Sequence, residues 1–447
     1  MAELIEYKCP CCSAKIEWNS AVQKMKCPYC DSEFDISTLQ AYDDALSADD
    51  APAGSDWQES AGGEWRPGEA EGMRVYSCKT CGGQVIADET TAASQCPYCG
   101  NPVIMAGNFS GALRPDLVIP FKLDKAAAKR ALSQHMEGKP LLPKIFKSQN
   151  HIDEIKGVYV PVWLYDAEAD AHLRWNATKV RTWRDQQYEY TETSHYTVTR
   201  AGTIAFEHVP VDGSSKMDDT VMESLEPFDY REAVPFATAY LSGYLADKYD
   251  VDADASRARA DTRIRNSTLQ SFAQTVQGYS ATELVSDRIN LTGGKAQYAL
   301  YPVWMLSTSW NGKNYSFAMN GQSGRFVGDL PADKGKAAGI FCGVTAGTGL
   351  LVYLLTVLLS EAKQGNLMIA LIAALIVGGI TIAVLLGQLH SVAPKNTASN
   401  YIAENSLNLT QKDDLYTHTT TERRALPQMP KNDGTPGGGG NGSGLPM

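Results

Sequence analysis

Eight of the ten cysteines stand in four Cys-x-x-Cys pairs, and these pairs form two copies of one unit. The two units contain Cys9, Cys12, Cys27 and Cys30, and Cys78, Cys81, Cys96 and Cys99. Two residues between paired cysteines form a tight turn that directs both thiolates toward one point. Two such turns then close a tetrahedral site of four sulfur atoms, the geometry that zinc prefers. We therefore predict two zinc ribbons, each with one structural Zn²⁺ ion.

A closed site with four protein ligands leaves no position for a substrate, so each predicted zinc ion is structural. Disulfides and a rubredoxin-like iron site are the alternatives, since the Cys-Pro-Tyr-Cys-Gly segment at 96–100 also suits iron. Cys11 and Cys342 have no place in the repeat, and we interpret Cys11 as a spare thiol. Free thiols and thiolate metal sites are typical of a reducing compartment.

Two long uncharged stretches, 337–360 and 367–389, lie in the last quarter of the chain. Each has about the length that a helix needs to cross roughly 30 Å of hydrocarbon. Only a short turn separates them, so we predict a transmembrane helical hairpin over 337–389. A buried helical hairpin of a soluble protein is the alternative.

The residues around the predicted hairpin indicate its orientation. Lys334 and Lys336 precede the first stretch and Lys395 follows the second, while the N-terminus has no apolar core of a signal peptide. Because lysine is enriched on the cytoplasmic side of membranes, we expect both termini in the cytoplasm. No ionisable residue lies in the middle of either stretch, which argues against an ion path.

Small residues recur every fourth position on both predicted spans. They are Gly339, Gly343 and Gly347 on the first span, and Ala370, Ala374 and Gly378 on the second. This spacing lets two helix backbones approach closely. We expect these faces to pack together or against another subunit, which would make an oligomer.

Composition divides the rest of the chain into further segments. Residues 39–73 are rich in acidic and small residues and predict a disordered linker, in which Trp57 and Trp65 could dock onto a ribbon or a partner. Residues 114–330 predict a soluble α+β domain. The segment 394–447 is polar and ends in a glycine-rich run, so we expect a disordered tail.

Local patterns predict helices and strands within 114–330. The predicted helices are 125–137, with Asp124 as its cap, and 237–277, broken near Asp250. The predicted strands are 159–175, 188–206, 297–310, 313–320 and 325–327. Asn311-Gly312 indicates a tight turn between two of these strands. The segments Tyr-Val-Pro-Val-Trp at 159–163 and Tyr-Pro-Val-Trp at 301–304 echo each other and hint at a duplicated β unit.

Motifs for catalysis are absent from the sequence. It contains no P-loop, no G-x-S-x-G and no H-E-x-x-H motif, and its seven histidines are scattered. Three alternate aspartates at 250–254 resemble the start of a calcium loop, but Ala255 replaces the required glycine. We therefore predict no catalytic residue and a protein that is not an enzyme. A site assembled from distant residues of 114–330 is a further hypothesis.

Zinc ribbons often bind nucleic acid, and that function requires clustered lysine and arginine. The net charge is −11, and the segment between the two cysteine units is acidic. Such a surface repels phosphates, so protein docking is the favoured role of the ribbons. A membrane-tethered nucleic-acid-binding factor is the alternative function.

Several stretches beyond the cysteines resemble a family of bacterial membrane proteins with TFIIB-type zinc ribbons, often mislabelled as helicase- or primosome-related. The resemblance covers residues 1 to about 390 and includes segments 141–146, 157–163, 209–214, 225–229, 240–244, 320–324 and 327–331. It implies an adaptor that, with a second membrane protein, recruits flotillin-like (SPFH) and phage-shock-type proteins to the membrane under envelope stress. The helicase label gains no support, since no nucleotide-binding motif is present.

The sequence and this resemblance together predict a multidomain protein of the bacterial cytoplasmic (inner) membrane. Its expected parts are zinc ribbon 1 (5–38), the acidic linker (39–73), zinc ribbon 2 (74–106), the α+β domain (114–330), the transmembrane hairpin (337–389) and the tail (394–447). The expected function is that of a zinc-binding cytoplasmic adaptor that recruits protein partners to the membrane.

Overall fold

A computed structural model describes most of the chain. It covers residues 8–14, 16–19, 24–35, 38–39, 55–58, 61–67, 69–70, 73–87, 95–108, 112–149, 154–359 and 366–426. These residues form a small three-stranded sheet, a thirteen-stranded mixed sheet and a pair of apolar helices. The glycine-rich run after 435 and the turn at 361–365 lie outside the described residues.

The described part of the chain contains sixteen strands and six α-helices, apart from short 3₁₀ turns. The strands are β1 (Glu17–Asn19), β2 (Lys24–Lys26), β3 (Glu33–Phe34), β4 (Ser55–Gln58), β5 (Arg74–Ser77), β6 (Gln84–Ala87), β7 (Ile104–Asn108), β8 (Leu117–Val118), β9 (Lys156–Arg184), β10 (Tyr188–Asp212), β11 (Val234–Pro235), β12 (Leu245–Asp247), β13 (Ala281–Trp310), β14 (Lys313–Asn320), β15 (Phe326–Val327) and β16 (Asn408–Ala425). The helices are α1 (Lys125–His135), α2 (Lys144–Gln149), α3 (Asp219–Leu225), α4 (Ala253–Ala273), α5 (Lys334–Leu359) and α6 (Leu367–Gly387).

Four long antiparallel strands form the centre of the large sheet, in the order β13-β9-β10-β16. Both predicted strands at 159–175 and 188–206 are present, and each extends further, to Arg184 and Asp212. The two echoing Tyr-Pro-Val-Trp segments are neighbours on β9 and β13, where Tyr159 lies opposite Pro302. Apolar side chains in this region alternate between the two faces of the sheet. Those on one face belong to one core cluster and those on the other face to a second.

Helix α4 covers one face of the long strands, with Ile264 and Phe272 in the shared core. Helix α3 packs with the opposite face. A third cluster, around Trp304, joins α1 and α2 to the bases of the apolar helices. The expected α+β domain is therefore a large mixed sheet with helices on both of its faces.

The two cysteine units are attached to the fold differently. The second unit is built on β5, β6 and β7, and β12 joins β6 to β9 within the large sheet, with Ala246 opposite Ile86. The first unit has its own sheet, β1-β2-β3, and a separate small core that includes Ile16, Phe34 and Leu39. The expectation of two equivalent ribbons is therefore too simple, because only the first has a sheet of its own.

The tail prediction is wrong for residues 408–425. They form β16, which pairs over nearly its whole length with the first part of β10, residues 188–203. The segment before it is also ordered, since Tyr401 is buried and the Ala398 amide donates to Ser267 Oγ (2.6 Å). Polar residues lie on both faces of β16 because it is an edge strand with much exposed surface. The sequence therefore lacks the alternation by which half-buried strands are recognised.

The prediction of a disordered linker over 39–73 is wrong for its described second half. Strand β4 lies parallel to β13. Trp57 donates its indole N–H to Asp261 Oδ1 (3.1 Å), and Trp65 donates to the Ala112 carbonyl (2.8 Å). Burial of two indole rings outweighs the acidic composition here. Both tryptophans dock onto the large sheet domain of their own chain.

The predictions for short elements have mixed outcomes. Asp124 caps α1 as expected, accepting from the Ala127 amide (2.8 Å), and Asn311-Gly312 makes the turn between β13 and β14. The predicted helix 237–277 is wrong before residue 253. Strand β12 lies in that segment, and Asp252 caps α4, accepting from the Ala255 amide (2.8 Å).

Helices α5 and α6 are long and apolar enough to cross a membrane, with mean hydropathy of 2.0 and 2.9. They pack side by side. Their bases are held together, since the Leu330 amide donates to the Leu389 carbonyl (2.9 Å). The small-residue face of α6 lies in this contact, because a Cβ on Gly378 would come within 2.3 Å of Thr345 Oγ1. A Cβ added to Gly343 of α5 would have no atom within 4 Å. The small residues of α5 therefore face away from α6.

Candidate metal centres

The structure brings the eight predicted cysteines into two groups of four. In each group all sulfur atoms lie within 4.8 Å of one another. In the first cluster, Cys12 Sγ lies 3.5 Å from Cys27 Sγ and 3.6 Å from Cys30 Sγ. Four sulfurs bonded tetrahedrally to a metal at about 2.3 Å lie about 3.8 Å apart. Both clusters therefore have the dimensions of a metal site of four thiolates.

These distances bear on the alternatives left open by the sequence. A disulfide bond requires sulfur atoms about 2.05 Å apart. The ten cysteines are free thiols, and the closest Sγ pairs of both clusters are 3.5–3.6 Å apart. The cysteines of this structure therefore do not form disulfides. The two remaining alternatives, zinc and iron, are both bound by four thiolates.

All four Cys-x-x-Cys turns have the same backbone hydrogen bonds. In each, the residue four positions after the first cysteine donates its amide to that cysteine's carbonyl, as Ser13 does to Cys9 (2.8 Å). That residue has a left-handed conformation in every turn. The residues and their φ angles are Ser13 (58°), Asp31 (59°), Gly82 (74°) and Gly100 (72°). Glycine adopts this conformation without steric cost, so the second cluster has the less strained turns.

The thiols within a cluster differ in acidity. Burial raises the pKa of Cys9 and of Cys96, whereas a hydrogen bond with the Ser32 hydroxyl (3.4 Å) is the main cause that lowers the pKa of Cys30 to about 6. Burial raises the pKa of Cys78 as well, but hydrogen bonds from the backbone amides of its turn together have the larger effect and lower this pKa to about 7. Each apo cluster thus combines a thiol that ionises readily with a buried thiol that needs a metal to lose its proton.

The first cluster contacts the rest of the protein at β16. Cys11 Sγ lies 3.2 Å from a ring nitrogen of His418, and the His418 ring stands edge-on to Phe34, with centroids 6.3 Å apart. Cys11 lies outside the sulfur cluster, in agreement with its interpretation as a spare thiol. Tyr29, in the turn between Cys27 and Cys30, is 78% exposed.

The second cluster is enclosed by the large sheet domain. Tyr98, the counterpart of Tyr29, packs against the core that contains Val85 and Leu245, and its hydroxyl is buried. The Lys156 ammonium donates to the Gln95 carbonyl (2.6 Å) beside Cys96. The Asn101 side-chain amide donates to Cys99 Sγ (3.4 Å), which orients this candidate ligand.

A network of buried charges was not predicted from the sequence. Arg263, which is 3% exposed, donates to both carboxylate oxygens of Glu226 (2.9 and 2.6 Å) and to the Thr397 carbonyl (3.1 Å). Burial raises the pKa of Glu226. This network ties α4 to the segment that follows α6. No local pattern identifies it, because its members come from distant parts of the chain.

The arrangement of cysteine clusters, sheet and apolar helices can be compared with known proteins. The chain is 32% identical over 356 residues to a Bacillus subtilis (strain 168) protein described as "Uncharacterized protein YdjG". The match covers 80% of this chain and 98% of YdjG. The chain belongs to the YdjG family. No protein-family model and no solved structure matches it.

Proposed function

We propose that this member of the YdjG family is a zinc-dependent adaptor without enzymatic activity, anchored in the bacterial cytoplasmic membrane. One observation carries the proposal: the first cysteine cluster and the apolar helices lie at opposite ends of the long strands. The helix bases pack near Trp304, which is opposite Gly157 on β9. His418, beside the first cluster, is in register with His195, and His195 with Thr178.

The strand between these points measures about 70 Å at about 3.3 Å per residue. The β9-β10-β16 sheet therefore acts as a stalk that holds the first cluster away from the bilayer. A module at the end of a stalk is well placed to contact other proteins. The exposed Tyr29 offers an aromatic side chain of the kind enriched in protein interfaces.

Both clusters hold zinc in this proposal. Their sulfur spacing fits four thiolates around one ion, and four protein ligands leave no open coordination position for chemistry. Each ion would stabilise its unit, which in the first cluster has only a few core residues. Each ion is therefore structural, and the surface that it stabilises is the functional feature.

The apolar helices cross the membrane as a hairpin in this proposal. Large apolar side chains such as Leu358 (82% exposed) and Met368 (72% exposed) point away from the protein, a surface that suits lipid. The hydrogen bond between Leu330 and Leu389 joins the two bases, so the chain returns to the side from which it entered. Both cysteine clusters and the stalk then lie on the cytoplasmic side.

The resemblance to zinc-ribbon membrane proteins supplies the class of partner. It implies flotillin-like and phage-shock-type proteins, which would be recruited under envelope stress. The net charge of −11 disfavours a nucleic-acid partner.

The experiment is affinity purification of the full chain from gently solubilised membranes. It compares the wild type with Cys27→Ser/Cys30→Ser, and Cys11→Ser is the control that alters a cysteine outside the sulfur cluster. We expect a flotillin-like or phage-shock-type protein with the wild type and with the control, and its loss with the double variant. Equal capture by all three forms would exclude docking through the first cluster.

A further inference from the structure

A cavity of about 240 Å³ lies between β9, the start of α4 and the segment that contains β4. Four aromatic residues line it: Trp57, Trp163, Tyr165 and Tyr249. Trp163 and Tyr165 are each 1% exposed and form its floor, whereas Trp57 and Tyr249 are half-buried and stand nearer to solvent. Its lining includes no cysteine and no residue of α5 or α6.

The aromatic rings stand nearly at right angles to one another. Trp57 and Tyr165 have centroids 5.3 Å apart and planes at 79°, and Trp163 and Tyr249 have centroids 5.3 Å apart and planes at 69°. Two perpendicular rings can form adjacent walls of one cavity. This arrangement is that of an aromatic cage, in which a cation can lie within about 6 Å of several ring centroids.

The polar atoms of three of these side chains are already bonded. Trp163 Nε1 donates to the Val251 carbonyl (2.8 Å), and the Tyr165 hydroxyl donates to the Ala253 carbonyl (2.5 Å). Trp57 Nε1 donates to Asp261. These bonds fix the three rings and occupy the donors of these three side chains. What these side chains offer to a ligand is therefore their π-electron surface.

The charged residues of the lining are Asp252, Asp254 and Arg257. Asp254 forms an ion pair with Arg257, and Asp252 accepts from the Ala255 amide (2.8 Å). Two carboxylates and one guanidinium give the lining one net negative charge, which favours a cationic ligand over an anionic one.

We infer that this cavity binds a small quaternary or methylated ammonium cation. Such a cation is weakly hydrated, fits between aromatic walls and gains cation–π attraction from each of them. The carboxylates of Asp252 and Asp254 complement its charge. Trp57 supplies one wall from outside the sheet core, so the docked segment around β4 completes the site.

The position of the cavity indicates the source of the cation. Lys156 begins β9, and this end of the strand lies near the bases of the apolar helices. At about 3.3 Å per residue, Trp163 lies about 20 Å further along the strand. The headgroups of the bilayer in which those helices would lie are therefore out of reach of a rigid cavity. A soluble cation is the source that the geometry favours over a lipid headgroup.

The test measures binding of choline chloride to the full chain in a maltoside detergent, by titration calorimetry. Its uncharged isostere 3,3-dimethylbutan-1-ol is the matched ligand. Trp57→Leu removes a π surface within the cavity, and Trp65→Leu makes the same change outside it. Asp254→Asn, at an exposed position, tests the charge should Trp57→Leu fold poorly.

We expect saturable choline binding, at least about tenfold weaker binding of the isostere, and about tenfold weaker choline binding by Trp57→Leu. Asp254→Asn also weakens binding, whereas Trp65→Leu retains it. Absence of saturable choline binding, or equal binding of the isostere, would overturn the inference. Monomeric short-chain phosphatidylcholine is a further arm: if it binds and choline does not, the soluble source is wrong.

Discussion

Tyr29 and Tyr98 occupy the same position in two Cys-Pro-Tyr-Cys turns, yet Tyr29 is 78% exposed and the Tyr98 hydroxyl is buried. The turns themselves share their backbone hydrogen bonds. The difference comes from the surroundings, since β12 joins the second cluster to the large sheet. Two copies of one sequence unit thus have different surroundings: the second is part of the large sheet, and the first has an exposed aromatic side chain.

Alanine at each tyrosine separates these roles. Tyr98→Ala lowers the free energy of unfolding by about 2–4 kcal/mol, because a partly buried aromatic ring leaves a void. Tyr29→Ala changes it by less than about 0.5 kcal/mol, as expected at an exposed site. Thermal unfolding of the two variants checks the difference. Equal destabilisation by both would contradict the asymmetry between the clusters.

Metal content tests the assignment of ligands. We expect two zinc ions per wild-type chain by elemental analysis. Cys27→Ser/Cys30→Ser and Cys96→Ser/Cys99→Ser should each retain one ion, since the clusters do not share ligands. Cys11→Ser should retain both. Iron in place of zinc, or loss of an ion from Cys11→Ser, would show that the assignment is wrong.

Metal affinity should depend on pH. Burial raises the pKa of Cys9 and Cys96, so these thiols are protonated at neutral pH in the apo clusters and release their protons when a metal binds. The apparent affinity therefore falls as pH falls, by at least about tenfold per pH unit.

The fall should steepen in the first cluster below a pH of about 6, where Cys30 also takes up a proton. Competition with a chromophoric chelator at several pH values measures this. An affinity that does not change between pH 8 and 6 would contradict the prediction.

The buried ion pair between Arg263 and Glu226 should be essential for stability. Arg263→Met leaves the Glu226 carboxylate buried without its partner and costs about 3–5 kcal/mol. Arg231→Met is the control, since Arg231 pairs with Asp229 at the surface and its side chain is 89% exposed. An ion pair at such an exposed position contributes little to stability. Denaturant unfolding of both variants gives the comparison, and a small effect of Arg263→Met would exclude this role of the pair.

The packing of the two apolar helices can be tested at adjacent glycines. Gly378→Val places carbon atoms against Thr345 and should cost about 1–3 kcal/mol through overpacking. Gly379→Val introduces the same side chain where nothing lies within 4 Å of a Cβ. Resistance of the full chain to proteolysis in detergent reports the difference. Equal resistance of the two variants would show that the helices do not pack at Gly378.

Local geometry explains what the sequence could predict. The four cysteines of each cluster, the cap at Asp124 and the turn at Asn311-Gly312 depend on residues close together in the chain. Spacing and residue type are sufficient for such features. The lengths of the apolar helices were predictable for the same reason, since they follow from composition along one segment.

Contacts between distant residues explain what the sequence could not predict. Strand β16 is ordered by β10, about two hundred residues away, and its polar pattern resembles that of a tail. Trp57 is ordered by Asp261 and β13. The different exposure of Tyr29 and Tyr98 also has no local cause, because the two turns are nearly identical in sequence.

The most direct test of the adaptor proposal is the location of a fluorescently labelled flotillin-like protein in cells that produce this chain. Wild type is compared with Tyr29→Ala, Cys27→Ser/Cys30→Ser and the Cys11→Ser control, all at equal levels in the membrane. The proposal predicts label at the membrane with wild type and control, a reduced signal with Tyr29→Ala, and diffuse label with the double variant. Membrane label that is the same with all four forms would contradict docking through the first cluster.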